Sequence, residues 1–226
     1  MTRDSFVRSD RIEIPLLTEP YCTICSLPIS EGYTYCVFCN PTTCAYKRPY
    51  IKVRSVEYYR DDDFNHQLSN DIRSFKKDKS LASLLGECLV HVLTTRYSSD
   101  LLPADIIVPI LQVDKTRGYN QAALLAKYIS IALGITYLDC LYARESFSPL
   151  RGKDQIEREQ IIFDKIGCNS EVKGKRILLT DDVYASGATM RECGWTLNQA
   201  GAASVKGIVV GKSVDRTHLR YIGRIK

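Results

Sequence analysis

Two adjacent carboxylates followed by a run of small residues carry the clearest chemistry in this chain. Asp181 and Asp182 stand in R-I-L-L-T-D-D-V-Y-A-S-G-A-T, residues 176–189. Carboxylates can accept hydrogen bonds from sugar hydroxyls or hold a hard cation. Ala185, Ser186, Gly187 and Ala188 are small enough for backbone N–H groups to approach an anion closely, and Thr189 adds a hydroxyl. Two carboxylates repel a bare phosphate, so the ligand must bring hydroxyls or a metal ion with it. A sugar phosphate meets both demands, the loop taking its phosphate and the acids its vicinal hydroxyls. The plain alternative is a β–α turn with solvated acids. No G-x-x-x-x-G-K-[ST] loop or G-x-G-x-x-G turn competes for the nucleotide role.

A second cluster has different chemistry. Of nine cysteines, five fall between Cys22 and Cys44, and four of these form two C-x-x-C knuckles ten residues apart. Each knuckle can turn two thiolates toward one point, and Cys22, Cys25, Cys36 and Cys39 together suit tetrahedral zinc. Cys44 is a surplus thiol able to replace Cys39. A redox pair or a disulfide knot is the competing reading. Cys88, Cys140, Cys168 and Cys193 are scattered and read as inert thiols.

These residues need a scaffold. Ile177-Leu178-Leu179 reads as a buried parallel strand with the acid pair where it emerges, and the helical pattern from Met190 to Ala200 follows the loop. Upstream, residues 51–59 alternate as a strand with one wet face, and Asp61-Asp62-Asp63 reads as a turn and cap. Phe64, Leu68, Ile72 and Phe75 mark a first helix, and residues 81–93 a second. Residues 105–109, 122–133 and 134–138 read as a β-α-β unit. Residues 139–161 read equally as a mobile loop over the site or a solvated helix. Residues 203–210 supply a further strand. The chain divides into an arm or strand at 1–18, a four-cysteine module at 19–48 ending in the linker K-R-P-Y, and an α/β domain at 49–226. His66, His91 and His218 are isolated and read as structural.

A length of 226 residues supports one core and a small appendage, and 45% hydrophobic with 25% charged residues is ordinary globular composition. The net charge of +5 permits an anionic substrate without requiring one. The first residues carry no apolar signal region, and no stretch has the ~18 apolar residues of a membrane helix, so a cytoplasmic location is expected.

The D-D-V-Y-A-S-G-A-T run resembles the signature of type I phosphoribosyltransferases, which implies 5-phosphoribosyl-1-pyrophosphate (PRPP) as ligand, with magnesium. Together with the knuckles, R-G-Y-N-Q-A-A-L-L-A at residues 117–126 and S-F-K at 74–76, the chain resembles the ComF family of competence-associated proteins over residues 20 to about 212. That resemblance implies a type I phosphoribosyltransferase-like parallel sheet flanked by helices, a small N-terminal zinc module, PRPP binding and, for some members, handling of single-stranded DNA. On this reading Asp181 and Asp182 orient the ribose, and Ala185 to Thr189 anchor the 5′-phosphate. Lys76, Arg117 or the 151–158 stretch faces the pyrophosphate. Ala185 stands where hypoxanthine-type enzymes carry Asp, which argues against hypoxanthine or guanine as acceptor. The competing class is a non-enzymatic module in which Tyr33, Tyr35, Phe38 and Tyr46 with Lys47 and Arg48 bind single-stranded DNA, although those aromatics also read as the core of the zinc hairpin. A homodimer is a candidate assembly.

Overall fold

The structure is a computed structural model that describes residues 4–40, 48–112, 118–148, 150 and 152–222. Arg117, Cys44, Tyr46, Lys47 and Arg151 lie outside the described residues. The arm forms a hairpin of β1 (Ser5–Val7) and β2 (Glu13–Pro15). The domain then runs β3 (Val53–Tyr59), α1 (Gln67–Phe75), a 3-10 turn (Lys79–Leu81), α2 (Ala82–Thr95), α3 (Ser98–Leu101), β4 (Ile106–Pro109), α4 (Gln121–Leu133) and β5 (Thr136–Tyr137). It continues with β6 (Leu141–Ala143), α5 (Gln155–Ile162), β7 (Ile166–Cys168), β8 (Arg176–Tyr184), α6 (Ala188–Gln199), β9 (Ser204–Ser213) and α7 (Arg216–Tyr221).

Five strands form a parallel sheet in the order β3-β9-β8-β4-β5. Successive side chains on a strand face opposite ways, and the core divides accordingly. Ile177 and Leu179 pack with Met190, Cys193 and Leu197 of α6, while Leu178 packs with Leu125 and Ile129 of α4 and the α1–α2 layer. Helices thus cover both faces, as a parallel sheet requires.

That covering overturns the expected wet face of residues 51–59. Arg54 and Glu57 of β3 are buried; Arg54 is drawn in by Asp100, to which its guanidinium donates at 2.6 and 2.8 Å. Phe64 lies outside α1 and is exposed, because His66 caps the helix by accepting from the Ser69 amide at 3.3 Å. Asp62 and Asp63 pair with Arg60 rather than capping. β8 extends to Tyr184, so the acid pair lies within the strand and not past its end. In residues 139–161 both readings hold in part: a connection leads to α5, which Asp154 and Glu157 open with a reciprocal capping box.

The N-terminal segments are docked. Leu17 donates its amide to the Val56 carbonyl at 2.8 Å, and Arg8 forms a buried ion pair with Asp71 at 2.6 Å. The linker is docked too. Arg48 pairs with Glu192 at 3.0 Å and lies over the rings of Phe163 and Trp195.

Candidate functional site

Asp181 and Asp182 reach the carboxyl edge of the sheet, where an open α/β sheet binds ligands. A cavity of about 280 Å³ opens there. Its walls include the acid pair, every residue from Ala185 to Thr189, and Arg158. Asp181 accepts from the Asp182 amide, and Asp182 from the Val183 amide, both at 2.8 Å, which fixes the orientation of each carboxylate. Lys76 does not line the cavity; its ammonium lies 5.8 Å from the centroid of the Tyr59 ring.

The small-residue loop is tethered by two cations that the motif did not reveal. Lys212 of β9 donates to the carbonyls of Tyr184 at 3.2 Å and Ala185 at 2.8 Å, and Arg191 of α6 donates to the Ser186 carbonyl at 3.0 Å. In a planar trans peptide the N–H points opposite to the C=O. Tethering three successive carbonyls away from the cavity therefore turns the amides of residues 185 to 187 toward it. Gly187 then takes φ 78°, and a Cβ there would collide with the Tyr184 ring. α6 begins at the next residue, so Ala188 and Thr189 belong to its first turn and not to the loop; its N-terminal amides add to the anion-binding edge. The only sequence sign of Lys212 was a lysine inside the apolar run G-I-V-V-G-K-S.

Cys22, Cys25, Cys36 and Cys39 come together as expected. All four are buried and their sulfurs lie within 4.8 Å of one another. The Cys25 and Cys36 sulfurs are 3.7 Å apart; a tetrahedron with Zn–S bonds of about 2.3 Å has edges of about 3.8 Å, so the thiols fit zinc. Hydrogen bonds from Cys25, Cys36 and Cys39 hold the Cys22 thiol far below its ordinary range. Among the described residues the segment is built of turns with one isolated bridge, Tyr21 to Pro28, rather than the expected hairpin, and Gly32 takes φ 84°. Tyr33, Tyr35 and Phe38 are exposed, so they are not the core of the module. Its core is shared with the sheet, since the cysteines pack in one cluster with Val53, Met190 and Val209.

Between this module and the small-residue loop lies a second cavity of about 240 Å³, lined by Cys25, Phe38 and Tyr50 on one side and Ala185, Ser186 and Lys212 on the other. Lys212 thus serves both units. Burial pushes its ammonium down, and the four thiols oppose that. Elsewhere burial pushes the Cys88, Cys140 and Cys193 thiols up to about 12, in keeping with inert roles. The histidines are structural: His66 caps α1, His91 stacks on Phe6, and His218 Nε2 bonds to the Pro28 carbonyl. No helix among the described residues is long and apolar enough to cross a membrane.

Comparison with known proteins finds relatives over most of this chain. Competence protein F of Haemophilus influenzae is 28% identical, the alignment covering 83% of this chain and 82% of that protein. The chain is thus similar over most of its length to a competence protein. Competence protein ComFC of Streptococcus pneumoniae is 35% identical over 45% of this chain, which spans less than half, 44%, of that ComF protein. The DNA utilization protein YhgH of Escherichia coli K12 is 27% identical, with 82% and 87% of the two chains covered. No family model matches the sequence. Among solved structures, hypoxanthine phosphoribosyltransferase from Trypanosoma cruzi aligns with TM-score 0.39 and 10% identity over 61% of this chain and 76% of that one. Glutamine PRPP amidotransferase from Bacillus subtilis aligns with TM-score 0.39 and 23% identity over 57% and 25%. The α/β fold class stands on the chain's own parallel sheet.

Proposed function

We propose that this chain binds PRPP and transfers its ribosyl phosphate to a nitrogen acceptor, releasing pyrophosphate. The observation that carries this reading is the single cavity walled by both the acid pair and the small-residue loop. The 5′-phosphate lies against the amides of residues 185 to 187 and the α6 N-terminus, with Thr189 adding a hydroxyl. Asp181 and Asp182 accept from the ribose hydroxyls. In the transfer the C–O bond to the pyrophosphate breaks with its electron pair leaving on oxygen, a C–N bond forms, and the acceptor nitrogen loses a proton. Fixed dipoles and charges suit the oxocarbenium-like ribose of such a step better than mobile water. The all-oxygen donor set of Asp181 and Asp182 fits magnesium, which when bound neutralises charge on the leaving group.

Incubation with PRPP, magnesium and a panel of bases and amines, with pyrophosphate as readout, tests the proposal. Acceptor-dependent pyrophosphate release is expected. Tight PRPP binding with no release for any acceptor would favour a PRPP-responsive module without turnover.

One observation favours a single-stranded DNA reading beside this one: the exposed Tyr33, Tyr35 and Phe38. Exposed aromatics can stack bases. Arg48 is committed to Glu192 and drops out of that surface. Tyr33→Ser with Phe38→Ser should abolish DNA retention measured at low salt, and undiminished retention would refute the reading.

A further inference from the structure

Arg158 stands apart in the cavity at the carboxyl edge of the sheet. Among the described residues it is the only side-chain cation in a lining that includes two carboxylates. An anionic ligand meets repulsion from Asp181 and Asp182, so the place of Arg158 bears directly on affinity. Yet the helix that carries it is thinly anchored by burial. α5 has eight residues, fewer than the ~12 an isolated helix needs, so contacts with the rest of the chain must hold it. Ile162 at its end is its one buried residue, and Ile156 is exposed.

The polar contacts of α5 run to α6. Glu159, the residue after Arg158, pairs through its carboxylate with Nη2 of Arg191, and the Asp164 amide just past the helix donates to the Glu192 carboxylate at 2.9 Å. Successive helical residues project about 100° apart, so Arg158 lines the cavity while Glu159 faces α6. Arg191 is itself constrained. Its side chain is only 3% exposed, and its Nη1 donates to the Ser186 carbonyl of the small-residue loop at 3.0 Å. A buried guanidinium requires a counter-charge, which Glu159 provides. One guanidinium therefore ties α5 to the loop that walls the same cavity. Arg158 makes no such tie: its Nε donates to the Lys153 carbonyl at 2.8 Å, within its own segment.

We infer that Glu159 is a positioning residue: through Arg191 it holds α5 in register with the small-residue loop and so places the Arg158 cation at the ligand. Glu159 does not line the cavity itself. The identity of the ligand rests on the PRPP reading, while the anchoring of α5 rests on the ion pair. Sequence pattern alone would leave Glu159 on a solvated helix.

The test is a double-mutant cycle on the full chain in magnesium, with PRPP affinity read by calorimetry. Arg158→Ala should weaken binding about fivefold, and Glu159→Ala nearly as much. If Glu159 works through Arg158, adding the second substitution to the first costs less than about a further twofold. Losses that multiply to about twenty-five-fold would make Glu159 a merely structural residue and overturn the assignment, as would no loss from either single substitution. Hydrogen exchange of the ligand-free protein gives a second reading that needs no PRPP. Glu159→Ala should speed exchange at residues 158–162 and leave α4 unchanged; equal speeding in both helices reports general destabilisation and refutes a local anchor. Should Glu159→Ala fail to fold, Glu159→Asp, which keeps the counter-charge but shortens its reach by one methylene, enters the same cycle under the same criterion. Wild type that binds no PRPP removes that reading and this inference with it. Wild type that binds PRPP while the losses multiply refutes the positioning role alone.

Discussion

At the residue scale, the balance of charge around the small-residue loop decides what the site can hold. Asp181 and Asp182 bring negative charge to one wall, while Lys212 and Arg191 hold loop carbonyls from behind. Removing the acids should therefore cost the hydroxyl contacts and leave the phosphate contacts. Asp181→Ala with Asp182→Ala is expected to weaken PRPP by at least about tenfold, on the order of 1.4 kcal/mol, as read by calorimetry. Unchanged affinity would return the motif to a structural turn. Lys212→Met has the complementary effect. With its donor gone, the Tyr184 and Ala185 carbonyls lose their partner and the loop amides lose their fixed direction, so ribose 5-phosphate as well as PRPP should weaken about fivefold. A loss confined to PRPP would place Lys212 at another part of the ligand.

At the element scale, the junction between β8 and α6 does most to build the site. Gly187 supplies a left-handed turn against the Tyr184 ring, and α6 starts directly after it. Gly187→Ala combines an unfavourable φ with a collision, so it should destabilise the protein by roughly 1–3 kcal/mol and abolish PRPP binding. A denaturation midpoint and affinity equal to wild type would show that the turn has another accessible shape. This junction was legible because its constraints are local: an apolar run, two acids and small residues in one stretch of sequence. The cysteine quartet was legible for the same reason. What the sequence hid depends on distant parts of the chain. Lys212 becomes a loop tether only because β9 lies beside β8, and Glu159 meets Arg191 only because α5 packs on α6. β3 looked half-wet because Arg54 and Glu57 are polar, yet α3 supplies Asp100 to draw Arg54 inward. Arg48 looked like linker and free positive charge, and Glu192 on α6, 144 residues away, claims it.

At the scale of the whole molecule, the cysteine module is part of the main core. A separable module would allow residues 1–48 to be removed with PRPP binding intact, as the linker-like K-R-P-Y suggests. The structure argues otherwise. Leu17 is bonded to β3, Leu16 and Ile14 pack with α1 and α2, and the four cysteines share a cluster with β3, α6 and β9. Deleting that segment would expose apolar faces of both layers, so truncation is the wrong instrument, and the metal is the right one. Wild-type protein should carry about one zinc per chain, because four converging thiols satisfy its tetrahedral preference. Zinc bound only in the folded state contributes its binding free energy to folding. Cys22→Ser with Cys25→Ser should lose the metal by elemental analysis and lower the thermal midpoint of the whole protein in one cooperative transition. Lys212 makes a further consequence testable, since it lines one cavity with Cys25 and Cys39 and also holds the Tyr184 and Ala185 carbonyls. Without zinc the sulfurs no longer fix their neighbourhood, so the loop should loosen and PRPP affinity should fall along with stability. A metal-free double variant that keeps full thermal stability and full PRPP affinity would mean that the module is an independent attachment after all.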